Sequence, residues 1–133
     1  MYLFANKGLG MSSGKMSAQV AHAAVEAFHI SDPELVAQWY VGGHYCKYVM
    51  AAEDEVHLHT IKYYLEQRGF KTKLIVDEGH TEIRPHTATA LGVEIVDKDD
   101  AHVAATFGDF KIYRDPPVRP KPDKLRRRRW YHS

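Results

Sequence analysis

A chain of 133 residues, 44% of them hydrophobic, suits one soluble domain with a proper core, and no apolar run approaches the length of a membrane span. Cys46 is the single cysteine, which excludes an intramolecular disulfide. The N-terminus also lacks the charged leader, apolar segment and cleavage site of a secretory signal, so a cytoplasmic location is expected. The net charge of +1 hides an asymmetry. Residues 115–133 hold seven Lys/Arg against two acids (+5), and residues 1–114 hold eleven against fifteen (−4). A mildly acidic body with a strongly basic tail fits a protein that touches a polyanion at one end.

The chain opens with an apolar stretch over 2–6 that reads as a buried strand, and Gly8 and Gly10 make a turn after it. A helix is expected over 14–28, capped by Ser12 or Ser13. On its wheel Lys15, Gln19, His22 and Glu26 form one polar stripe, and the alanines between them let the helix lie close to whatever it packs against. Asp32-Pro33-Glu34 starts a second, short helix that Gly42-Gly43 stops. Residues 45–52 read as a strand containing Cys46. Glu53-Asp54-Glu55 then begins a helix that ends at Gly69. Residues 71–76 form a strand, 81–85 an extended piece before a proline, and 87–95 a further strand. A short helix over 97–107 and an extended return over 110–113 complete the domain, which spans 1–115. Interleaved strands and helices argue for a three-layer α/β/α fold with a mixed sheet. Residues 116–133, proline-rich and then arginine-rich, are expected to be a disordered tail.

The turn before Gly14-Lys15 is not a phosphate-binding P-loop. Leu9 stands where its first glycine belongs, and Met16 where a Ser or Thr follows the lysine. What remains is a helix N-terminus with a lysine, able to hold an anion or simply capped and solvated. His57 and His59, or His44 and Cys46, have no second pair at ligand spacing, so no metal site is expected. Asp77, His80, Thr81, Thr87 and Thr89 gather polar groups at a strand end, where open α/β sheets bind ligands and where turns also use such residues.

Two blocks in register carry a family resemblance. Gly14-Lys15-Met16-Ser17-Ala18-Gln19-Val20-Ala21-His22-Ala23-Ala24-Val25 is one. Asp77-x-Gly79-x-Thr81 followed by Pro85-x-Thr87-x-Thr89-x-Leu91-Gly92 is the other. Over roughly 2–113 the chain resembles the type-II, archaeal and eukaryotic, peptidyl-tRNA hydrolases. The resemblance implies a mixed four-stranded sheet between helices and hydrolysis of the ester joining a peptide to the 3′ ribose of tRNA. It implies no metal or organic cofactor, a peptidyl-tRNA partner, and a homodimer as the assembly often seen in the family. It also implies catalytic roles for Lys15, Asp77, Thr81 and Thr89. Gly14, Gln19, His22, Gly79 and Thr87 would line the substrate, with Arg126, Arg127, Arg128 and Arg129 adding phosphate contacts beside Trp130 and Tyr131. A noncatalytic RNA-binding or protein-interaction module on the same fold is the competing reading.

The chain departs from the family pattern at four places. Gly8 stands for a usual aspartate, Glu78 for an alanine and His86 for a glycine, and Val93-Glu94-Ile95 replaces Ile-Gly-Pro.

Overall fold

Capping residues sit where each helix needs them, and they set the elements in order. The computed structural model describes residues 1–78 and 83–115. They form β1 (Tyr2–Asn6), a 3-10 turn (Lys7–Leu9), α1 (Ser13–His29), α2 (Pro33–Val41), β2 (Tyr48–Ala52), α3 (Glu55–Gln67), β3 (Thr72–Asp77), β4 (Thr87–Val93) and α4 (Ala101–Phe107). Ser12, Asp32, Asp54 and Asp100 cap the four helices, each side chain accepting from an N–H of the first turn. Such a cap contributes about 1 kcal/mol. Gly69, at φ 91°, follows the end of α3 in the left-handed conformation that glycine favours.

The sheet runs β2-β1-β4-β3, with β1 parallel to β2 and β4 antiparallel to both its neighbours. It is the mixed four-stranded sheet expected. The expected return over 110–113 adds no fifth strand. Ile112 makes an isolated antiparallel bridge to Met50, flanked by hydrogen bonds from Ala51 N to the Lys111 carbonyl (2.8 Å) and from Tyr113 N to the Val49 carbonyl (2.8 Å).

Other boundaries shift for local reasons. The second strand begins at Tyr48 rather than 45, because His44 and Tyr45 take positive φ values of 52° and 58°. Cys46 therefore lies before the strand, half-buried, its carbonyl accepting from Trp39 Nε1 at 2.7 Å. The fourth helix starts at Ala101, four residues late, since Asp100 supplies the cap. Of the extended piece expected over 81–85, residues 81 and 82 lie outside the described residues. Pro85 and His86 form a turn.

Both faces of the sheet are covered. Phe4, Met50, Leu91 and Val93 meet Leu58, Ile61 and Leu65 of α3 and Val103 and Phe107 of α4 on one side. Leu3, Ile75 and Ala90 meet Ala23 and Ala27 of α1, with Leu35, Val36 and Trp39 of α2 beside them, on the other. The alternation of Leu3 and Phe4 between the two cores is the period-two pattern of a strand buried on both faces.

The alanines of α1 have the consequence expected of them. At Gly92 of β4 an added Cβ would lie 2.4 Å from the Ala23 carbonyl oxygen and 3.3 Å from Ala27 Cβ. Helix and strand touch there backbone to backbone. Gly92→Ala should therefore destabilise the fold by about 1–3 kcal/mol, the usual cost of overpacking a filled core. Chemical denaturation measures this, and an unchanged midpoint would contradict the close packing.

Candidate active site

The close approach of α1 carries its polar stripe onto the ends of β3 and β4. Lys15, in the first turn of α1, donates from Nζ to Asp77 Oδ1 at the end of β3. The two side chains are 11% and 8% exposed. One turn on, buried Gln19 donates from Nε2 to Thr89 Oγ1 at 2.7 Å, and the Thr89 hydroxyl reaches the Ile75 carbonyl at 3.3 Å. Both expected blocks thus meet through two side-chain contacts, 62 and 70 residues apart in sequence.

The second contact depends on a β-bulge. Ile75 pairs with Ala90 and Val76 with Ala88, so Thr89 is the extra residue of β4. Leu91 and Val93 face α3, and strict alternation would send Thr89 into the same apolar core. The bulge reverses its direction, and Thr89 and Ala90 both look toward α1.

Not every residue of the stripe turns inward. His22 has 57% of its side chain exposed and lies 3.8 Å from Glu26 on the helix surface. β3, against which Lys15 reaches, is one of the two edge strands of the sheet. Thr87 is buried, its hydroxyl donating to the Arg84 carbonyl at 2.9 Å. Thr89 is wholly buried with its hydroxyl already engaged, which suits holding Gln19 rather than meeting a ligand. Gly14 is exposed, and an added Cβ there would meet nothing within 4 Å. Gly79 and Thr81, with Arg126, Arg127, Arg128 and Arg129 of the tail, lie outside the described residues. His57 belongs to a helix start instead of a ligand set, its Nδ1 accepting from Glu53 N at 3.0 Å.

Two residues at this end of the sheet were not singled out by sequence reasoning. Asn6, buried at the end of β1, donates from Nδ2 to the Ala88 carbonyl at 2.9 Å. Glu55, in the first turn of α3, accepts from Ala88 N at 2.6 Å and lies 3.5 Å from Arg84 Nη2. The signal for Asn6 was present as a polar side chain closing an apolar strand. Glu55 carried none beyond its acidic helix start.

Comparison with known proteins sets this geometry in a family. The model of the family described as peptidyl-tRNA hydrolase PTH2 matches residues 1–113. The chain belongs to this family. It is 42% identical over 105 residues to the peptidyl-tRNA hydrolase of Thermococcus onnurineus, covering 73% of this chain and 88% of that one. It is 34% identical over 109 residues to that of Halobacterium salinarum, covering 82% and 95%. The human protein named peptidyl-tRNA hydrolase 2, mitochondrial, is 34% identical over 114 residues, covering 77% and 62%.

Set against the family pattern, three departures have local accounts. At Gly8 a Cβ would lie 2.5 Å from the Glu53 carbonyl oxygen, so the turn ahead of α3 occupies the space of a side chain. Glu78 and His86 stand opposite one another, Oε2 to Nδ1 3.7 Å, across the ends of β3 and β4. His86 also takes φ 62°, a conformation natural to glycine, while its N–H donates to the Asp77 carbonyl at 2.6 Å. Left-handed backbone costs a side-chain-bearing residue about 1–2 kcal/mol, partly offset by the greater unfolded-state freedom of glycine. His86→Gly is thus expected to stabilise the protein by about 1 kcal/mol in chemical denaturation, and a loss of stability would contradict this account.

Proposed function

We propose that this chain hydrolyses the ester between a peptide, or an N-blocked amino acid, and the 3′ ribose of tRNA, freeing tRNA from stalled translation. The observation that carries the reading is the nearly buried Lys15–Asp77 pair, set where the first turn of α1 meets the end of β3. A carboxylate and an ammonium held together beside a helix N-terminus supply a base and an electrophile within reach of one carbonyl.

Water attacks the ester carbonyl. Asp77 accepts a proton from that water, directly or through the Thr81 hydroxyl that the family pattern assigns. Lys15 and the N–H groups opening α1 stabilise the oxyanion or the terminal phosphate. Collapse of the tetrahedral intermediate breaks the acyl–oxygen bond, and the 3′ oxygen leaves with a proton as the ribose hydroxyl. The peptide departs as a carboxylate. An ester is labile enough that no covalent nucleophile is needed. Thr89 anchors Gln19, and Gln19 fixes the rotation of α1 about its axis. The exposed Gly14 leaves open ground for the acceptor end of the RNA. The arginines at 126–129 contribute phosphate contacts, and the lone cysteine accords with action in the cytoplasm.

The decisive assay incubates the protein with N-blocked aminoacyl-tRNA, scores release of free tRNA, and compares a small peptidyl ester. Release from tRNA is expected. Asp77→Asn and Lys15→Gln should each lower turnover on the order of a hundredfold while the protein stays folded. Full activity in both variants would overturn the assignment, and binding without release would favour the noncatalytic module. Truncation after residue 115 should weaken tRNA binding and flatten its salt dependence, because each lost phosphate contact removes about 0.7–0.9 from the log–log slope. An unchanged slope would show that the tail does not touch the RNA.

A further inference from the structure

The β1–β4 ladder ends one step short of the bulge. Its last pair is Ala5 with Ala90, so beyond it β1 offers no backbone partner to β4. In a strand the N–H and C=O of one residue point to the same side, and those of Ala88 both point toward β1. Two side chains take up the missing ladder. Asn6 Nδ2 donates to the Ala88 carbonyl (2.9 Å), and Glu55 accepts from the Ala88 N–H (2.6 Å). The Asn6 side-chain oxygen is itself held by Gly8 N at 3.1 Å, which ties the clamp to the turn after β1.

We propose that Asn6 and Glu55 are positioning residues that hold the Ala88 peptide and thereby fix the bulge that turns Thr89 toward Gln19. The path is short and made of named contacts. The clamp sets Ala88, the next residue is Thr89, Thr89 accepts from Gln19, and Gln19 stands one helical turn from Lys15 on the same face of α1. Without the clamp β4 can slide into regular pairing, which would swing Thr89 to the opposite face and release Gln19. Displacements near 1 Å at such a support cost on the order of a hundredfold in rate. The effect on rate rests on the hydrolase reading, whereas the effect on Gln19 does not.

The experiment measures kcat and KM on N-blocked aminoacyl-tRNA with the full chain. Glu55→Ala should lower kcat by about tenfold or more and leave KM within about twofold, since no substrate contact is lost. Glu55→Gln keeps an acceptor for the Ala88 N–H and should restore most of kcat. In a Thr89→Ala background the further change Glu55→Ala should have almost no effect, because both act through the same contact. Fully additive effects, or a Glu55→Gln variant as impaired as Glu55→Ala, would overturn the proposal. Should Glu55→Ala fail to fold, Asn6→Asp takes its place under the same criteria, for it keeps the volume and the Gly8 contact and loses the donor. Absence of turnover in the unsubstituted chain would sink the hydrolase reading alone. The side-chain amide resonance of Gln19 would then decide the matter. A resonance displaced by the clamp variant sustains the positioning role, and one unmoved ends it.

Discussion

The backbone contact between α1 and β4 governs the rest of the molecule. With Gly92 beneath Ala23 there is no side chain between helix and strand, and the helix sits about as low as a helix can. Everything else at the N-terminal end of α1 follows from that depth. Lys15 and Gln19 are long side chains, and they meet Asp77 and Thr89 directly because the helix carrying them lies so close. A larger residue at Gly92 or Ala23 would lift the helix, and both contacts would open together. The small residues and the polar stripe are therefore one device, with packing on one flank of the helix setting distances on the other.

Much of this was legible in the chain. The caps at Asp32 and Asp54, the proline at Pro33 and the glycine at Gly69 announce helix boundaries through local chemistry, which is why those boundaries fell within a residue or two. The stripe on α1 and its partners at Asp77 and Thr89 were legible because two sequence blocks with matched chemistry had to meet somewhere. The bulge was not legible. Its effect is to break the alternation by which strands are read, and no residue near Thr89 advertises the break. The same blindness extended to Asn6 and Glu55, whose task exists only because the ladder stops at Ala90. His22 keeps its place on the stripe but not its depth, with its side chain exposed beside Glu26. Helical spacing places it in line with Lys15, but spacing does not say where the sheet ends.

The departures from the family pattern also gain a structural reading. Gly8 lies under the loop that begins α3, so its lack of a side chain is a packing requirement in this chain. Glu78 and His86 are exposed and face each other beside Asp77, at the mouth of the proposed site. Two substitutions that look independent in the sequence thus occupy one place in space. Lys15 pairs with Asp77 and Gln19 with Thr89, so the inner contacts join residues that the family pattern asks for.

The strand order has a consequence for the order of events during synthesis. β4 is the last strand made, yet it lies between β1, the first, and β3. The Lys15–Asp77, Gln19–Thr89 and Asn6–Ala88 contacts span 62, 70 and 82 residues, so none of the three is local. Such separations slow folding, since the entropy of closing the long loop is lost before any contact repays it. A nascent chain ending before residue 87 can pair β1 with β2 and form α1, but it has no β4 on which that helix can rest. Lys15 would then sit on a helix that still has Leu3 of β1 beside it but lacks its closest backbone support. The Gln19–Thr89 contact has no half-built version, and its formation in a growing chain would report that the fold has closed.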